Sequence, residues 1–183
     1  AYLLQTFFLN RRFAMIKKAM ENDNNVLDRS IYEDEIFMKM NTELGNATQV
    51  EYDIYKSLLN NMMEELPLAA HKKSPDLMIT IKVSYETMLN RIKKRGRKYE
   101  QVELDPSLSD YYHRLLKHYD IWMQEYSYSP LLIIDGDKYD FMANKHDRVA
   151  VLETIENKLV ELGNLTEADF ARYQQKHQEF LQA

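Results

Sequence analysis

Apolar positions recur at helical spacing from the first residues. Leu4, Phe8, Met15 and Ile16 mark a helix over residues 2–20. No Ser, Thr or Asp cap precedes it, so the chain starts either in mid-structure or just after a removed initiator methionine. An Asn/Asp-rich turn over 21–25 leads to an apolar stub, Val26-Leu27, which ends in Asp28-Arg29-Ser30. This reads as a buried strand running straight into a helix. Thr48-Gln-Val-Glu51 has the capping-box pattern and opens a helix to about residue 65. After Pro75, the run 77–83 is rich in β-branched residues and predicts a buried strand. Ser84 starts a helix that ends at Gly96, and Asp105-Pro106-Ser107 opens another, with Tyr111, Leu115, Tyr119 and Trp122 at helical spacing. A third strand over 131–135 stops at Gly136-Asp137. A helix over 147–162 ends at Gly163, and Thr166 begins a short polar final helix.

Strands therefore alternate with helices, without internal repeat or linker. That order predicts an α/β fold with a parallel sheet and helices on both faces. Three strands are few for such a sheet: either the domain is very small or further strands precede residue 1. A chain of 183 residues, 45% hydrophobic, can bury one substantial core. It has no cysteine, hence no disulfide or thiolate metal site, which suits a reducing cytosol. No segment resembles a signal peptide or a bilayer span. The net charge of −5 argues against general nucleic-acid binding. Thirteen Tyr and ten Met fit a roomy pocket for a flat ligand and ordinary core filling equally well.

Against that acidic background, six cationic side chains fall within residues 91–98. Arg91 and Arg95 are four apart and share a helix face, and Gly96 lets the chain leave the helix before Arg97. Three arginines so placed can close on a transferring phosphoryl group, and the same run could equally be a solvated face. Asp28-Arg29-Ser30, read at the carboxyl end of a strand, can hold Mg²⁺ and a phosphate or serve as a plain helix cap. Asp34 would lie one or two turns into the next helix, half buried. Gln5 and Arg12 are seven apart on one helix face, about 10 Å from each other. They suit recognition of a nucleobase edge or an amphipathic boundary, and Arg12 could pair with Asp34. The five His lack zinc spacing apart from His113 and His118, which read as surface or packing residues. No Ser/His nucleophile elbow is present, and no G-x-x-x-x-G-K-[ST] occurs.

In combination these pieces resemble the deoxynucleoside kinases, most closely the bacterial deoxyadenosine/deoxyguanosine kinases. The residues that carry the likeness are Gln5 with Arg12, Asp28-Arg29-Ser30 with Asp34, and R-x-x-x-R-G-R-x-x-E-Q over 91–101. The resemblance implies a P-loop NTPase-like three-layer α/β/α fold with an arginine-rich lid at about 91–101. It implies a kinase domain over 1–165, followed by a helical extension over 166–183. It also implies that the strand–loop–helix–strand unit with the phosphate loop and the general base lies before residue 1. The chain would then be a piece of a longer enzyme, inactive without that loop.

The implied reaction is phosphoryl transfer from ATP to the 5′-hydroxyl of a deoxynucleoside in nucleotide salvage. Deoxyadenosine or deoxyguanosine is favoured, deoxycytidine possible, and thymidine disfavoured. By resemblance Gln5, Arg12 and Asp34 would bind the base, with Met38 where many members carry a stacking aromatic. Asp28 would bind Mg²⁺, and Arg29, Arg91, Arg95 and Arg97 would be catalytic. Glu100 would accept from the sugar 3′-hydroxyl, while Arg91, Arg95, Asp140 and Phe141 would contact ATP. The implied protein is cytoplasmic, free of nucleic acid and membrane, and a homodimer or a heterodimer with a related kinase chain. Two alternatives stand beside it: a nucleoside monophosphate kinase of the thymidylate-kinase type, and a non-catalytic nucleotide-binding subunit.

Overall fold

The computed structural model describes residues 1–69 and 74–182. In chain order its elements are α1 (Tyr2–Ala19), α2 (Asp34–Glu43), α3 (Gln49–Ala69), β1 (Met78–Lys82), α4 (Tyr85–Arg95), α5 (Ser107–Glu125), β2 (Leu131–Asp135), α6 (Lys145–Glu161) and α7 (Glu167–Gln182). They form two compact units, Ala1–Ser74 with Ser107–Tyr126, and Pro75–Pro106 with Ser127–Ala183.

The first unit is helical. α1 packs on α2 and α3, and α2 packs on α3 and α5. Its core joins Leu9, Ile16, Ile31, Met38, Ala47, Tyr55 and Leu59. Of the four apolar positions that mark α1 in the sequence, only Ile16 is buried, while Leu4, Phe8 and Met15 are exposed. Apolar residues surround this helix, so spacing alone does not choose the face that packs. The inward face carries Leu9 and Ile16, with the half-buried Gln5 and Arg12 beside them. Thr48 and Glu51 close the predicted capping box. Glu51 Oε2 accepts from the Thr48 amide at 2.7 Å, and the Glu51 amide donates to Thr48 Oγ1 at 3.2 Å.

The strand expected at Val26-Leu27 does not form. These residues are irregular, and Val26 is 95% exposed. Two apolar residues gain ladder hydrogen bonds only beside another strand, and the described residues of this unit contain none.

The second unit holds the sheet. β1 and β2 pair in parallel, in register from Met78↔Leu131 to Lys82↔Asp135. The described residues thus contain two of the three predicted strands. α6 packs on β2 and on α7. β2 stops at Gly136 because the chain passes close to β1 there. A Cβ at Gly136 would lie 2.6 Å from Val83 Cγ1 and 2.9 Å from Ile81 Cγ2, both on short branched side chains that cannot move aside.

Candidate active site

In the helical unit Arg12, Arg29 and Asp34 gather around the start of α2, while Gln5 lies half-buried on α1. Asp34 is the first residue of α2 and 1% exposed, not half buried one or two turns in. The chain enters α2 from a tight irregular segment, so the carboxylate points into the packing of α1 against α2. Arg12 pairs with Asp34 Oδ1, as its place on α1 allows. Burial lowers the Arg12 pKa from its ordinary value, and the nearby Arg29 charge pushes the same way. Asp34 Oδ2 and the Tyr55 hydroxyl are buried without a hydrogen-bond partner among the described residues. Burial also raises the Tyr55 pKa, so this hydroxyl stays neutral. The result is a fixed ion pair with an acceptor oxygen to spare.

Met38 is fully buried in the core cluster, and Phe37, next to it, faces Arg29 instead. Arg29 has a left-handed backbone at φ 67°, a conformation that costs a non-glycine residue about 1–3 kcal/mol. Several contacts hold it there. The guanidinium lies 4.5 Å from the Phe37 ring centroid, and Nη2 donates to the Tyr119 hydroxyl at 2.9 Å. Glu33 Oε1 stands 3.9 Å from Arg29 Nε and accepts from the Ser30 amide at 2.9 Å. The other Glu33 oxygen accepts from Ser30 Oγ. Asp28 is exposed beside this cradle.

Glu33 has no candidate role in the sequence, and Tyr119 stands there only as one of the apolar-face positions of α5. The S-x-x-E spacing of Ser30 and Glu33 was a readable signal. Tyr119 is ninety positions from Arg29, and no local pattern connects them.

In the other unit, Ser84 caps α4 by accepting from the Thr87 amide at 3.2 Å, and Gly96 ends it at φ 76°. Arg91 donates through Nη2 to the Gly136 carbonyl at 2.6 Å and to that of Tyr139 at 3.3 Å. Its guanidinium is 6.0 Å from the Phe141 ring centroid. Arg91 and Phe141 therefore stand together at the loop after β2. Arg95 and Arg97 do not join them. Arg95 donates to Glu100 Oε2 from Nε at 3.0 Å and Nη2 at 2.6 Å, and Arg97 donates to Glu100 Oε1 at 3.3 Å. A single 3₁₀ turn, Lys98–Glu100, brings that carboxylate back onto both arginines. Gln101 completes the turn, donating through Nε2 to the carbonyls of Ile92 at 3.2 Å and Arg97 at 2.9 Å. Asp140 closes the loop after β2 by accepting from the Ala143 amide through Oδ1 at 3.2 Å.

Chemically, the helical unit offers a buried donor–acceptor pair on a rigid frame. The sheet unit offers two cations on one carboxylate and a third beside an aromatic ring. Among the described residues no three His, Cys, Asp or Glu side chains cluster as metal ligands, and no helix is long and apolar enough to cross a membrane.

Comparison with known proteins gives this arrangement its context. A family model described as deoxynucleoside kinase matches residues 1–161. The chain is 57% identical over 165 residues to a deoxyguanosine kinase of Lactobacillus acidophilus, covering 90% of this chain and 72% of that protein. It is 52% identical over 164 residues to a deoxyadenosine kinase of the same organism, covering 90% and 76%. Among solved structures, a deoxyadenosine kinase from M. mycoides with bound dATP superposes with a TM-score of 0.66 at 32% identity, covering 86% of this chain and 73% of that one.

Proposed function

Because the chain belongs to the deoxynucleoside kinase family, with its α/β P-loop NTPase-like fold, its reaction is phosphorylation of a deoxynucleoside, and we propose the following division of labour. ATP is the donor and the 5′-hydroxyl of a purine deoxynucleoside the acceptor. Gln5, Arg12 and Asp34 read the base. The observation that carries this is the buried Arg12–Asp34 pair with its spare Asp34 Oδ2. An ion pair held out of water presents a donor and an acceptor at fixed positions, and an unpaired buried acceptor penalises any base that leaves it unfilled. The names of the relatives, deoxyguanosine and deoxyadenosine kinase, support the purine choice. Met38, in the core beside these residues, shapes the base site from behind.

Arg29, Arg91, Arg95 and Arg97 neutralise the charge that spreads over the phosphoryl oxygens in transfer. Glu100 binds the sugar 3′-hydroxyl. The same carboxylate holds Arg95 and Arg97 here, so the reading requires an exchange of partners. The arginines pass to phosphate and the carboxylate to the sugar. Asp140 and Phe141 receive the adenine of ATP, while Arg91 and Arg95 contact its phosphates.

Mg²⁺ fits as an ion held chiefly by the donor phosphates, with Asp28 as one protein carboxylate; it would supply charge neutralisation between those phosphates. Asp28 is exposed beside the Arg29 cradle, which suits a single carboxylate that meets such an ion from the surface. The reading also takes the enzyme to be cytoplasmic and dimeric, with itself or with a related kinase chain.

A substrate panel tests the proposal. With ATP and Mg²⁺, deoxyguanosine or deoxyadenosine should give the highest kcat/KM, and thymidine should be about 100-fold poorer or worse. Equal use of thymidine would defeat the base assignment. Preference for deoxynucleoside monophosphates would defeat the choice of acceptor.

A further inference from the structure

α7 lies beyond residue 161, where the family match ends, and no step of the reaction proposed above uses it. Its contacts within the second unit nonetheless lead to a functional segment. The helix is well begun. Thr166 Oγ1 accepts from the Asp169 amide at 3.1 Å and donates to Asp169 Oδ2 at 2.7 Å, a reciprocal cap. Phe170, Tyr173 and His177 follow at helical spacing on the less exposed face.

His177 is 8% exposed, and its Nε2 lies 3.0 and 2.9 Å from the two carboxylate oxygens of Glu156 on α6. The Glu156 side chain is itself only 13% exposed. Each of these polar groups would be stranded without the other, so the pair fixes α7 in one position on α6. One turn further on, the Phe180 ring sits 5.7 Å from the guanidinium of Arg148. That guanidinium donates from Nε to the carbonyl of Phe141 at 2.9 Å and from Nη2 to the carbonyl of Met142 at 3.1 Å. Asp147, the preceding residue, accepts from the Asp140 amide at 2.8 Å. Adjacent residues of α6 thus hold three consecutive positions, 140 to 142, and α7 backs the arginine that does so.

We propose that α7 is a strut for the donor-base loop. His177 locks the helix to Glu156, Phe180 seats the Arg148 guanidinium, and Arg148 is a positioning residue that sets the loop backbone at Phe141 and Met142. The consequence is that α7 tunes the affinity for ATP without touching it. This inference rests on the reading of Asp140 and Phe141 as the contacts of the ATP adenine.

The test uses the complete enzyme with Phe180→Ala, His177→Ala and, as a control, Phe141→Ala. Two readouts are needed: KM for ATP against KM for the deoxynucleoside, and amide hydrogen exchange over residues 140–144. Phe180→Ala should raise KM for ATP by about two- to five-fold, the size of an exposed cation–π contact, with kcat and the deoxynucleoside KM unchanged. His177→Ala should raise it further, and His177→Gln, which keeps a donor for Glu156, should recover part of the loss. Exchange over 140–144 should quicken in both alanine variants. Phe180 is 41% exposed, so its removal leaves the fold intact. Unchanged exchange over 140–144 in the Phe180 variant would overturn the strut. So would a rise in both KM values together. If Phe141→Ala leaves KM for ATP unchanged, the loop assignment fails instead, while the exchange data still decide whether α7 holds the loop.

Discussion

Two sets of ion pairs, one in each unit, are built in opposite ways. Arg12 and Asp34 are joined in the interior of the helical unit, where the carboxylate is 1% exposed. Arg95 and Arg97 share Glu100 in the sheet unit, where the carboxylate is 17% exposed but half of each arginine side chain is in water. Removing one member of a buried pair strands a charge in low dielectric, whereas an exposed pair exchanges its partner for water or another anion at little cost. The interior pair is thus suited to a constant feature of the substrate, such as the edge of a base. The surface pair is suited to a group that comes and goes in each turnover, such as a transferring phosphoryl.

The largest expected effect tests the fixed half of that contrast. Asp34→Asn keeps the shape of the side chain but leaves the Arg12 guanidinium buried and unpaired, and it should cost about 3–5 kcal/mol of unfolding free energy. Glu100→Gln, whose arginine partners can turn to water, should cost less, about 1–2 kcal/mol. Denaturant unfolding of both variants measures the difference. Comparable losses in the two would erase the distinction.

Next in size is the exchangeable half. Arg97 makes one long contact to Glu100 and supports no other element, so Arg97→Ala should leave stability nearly untouched. Loss of one charge-stabilising donor should lower kcat by about 100-fold or more. The KM for the deoxynucleoside should stay within about two-fold, because the base is read elsewhere. An unchanged kcat in steady-state assays would remove Arg97 from the phosphoryl-transfer machinery.

The same contrast explains which parts were legible in the sequence. Local devices could be read directly. The Thr48 capping box, the Ser84 and Gly96 ends of α4 and the β-branched strands all depend on residues a few positions apart. The family motifs were legible for the same reason, being short and ordered. What could not be read was set by neighbours distant in sequence. The packing face of α1 is undetermined by a helix apolar on all sides. The stub Val26-Leu27 has strand composition but no strand beside it. Asp34 is buried because of how α2 meets α1. Glu100 was legible only as part of the R-x-x-x-R-G-R-x-x-E-Q run, and its grip on Arg95 and Arg97 depends on a 3₁₀ turn that no residue pattern announces.

The smallest effect probes a case between the two extremes, the Arg29 cradle. Arg29 is partly exposed like the surface arginines, but its left-handed backbone and its contacts to Phe37 and Tyr119 restrain it like the interior pair. The Tyr119 hydroxyl is its most specific tether. Burial raises the pKa of that phenol and the Arg29 charge only partly opposes the shift, so it accepts the guanidinium bond as a neutral group. Tyr119→Phe keeps the ring against Phe37 and Trp122 and removes one neutral acceptor, a loss of about 1 kcal/mol. If the tether serves to aim Arg29, that loss should appear in kcat as a fall of about five-fold, with the deoxynucleoside KM and the unfolding midpoint unchanged. Had the hydroxyl served packing alone, the midpoint would drop and kcat would hold. Arg29 would then belong with the freely exchanging surface cations, and its strained backbone would have no part in catalysis.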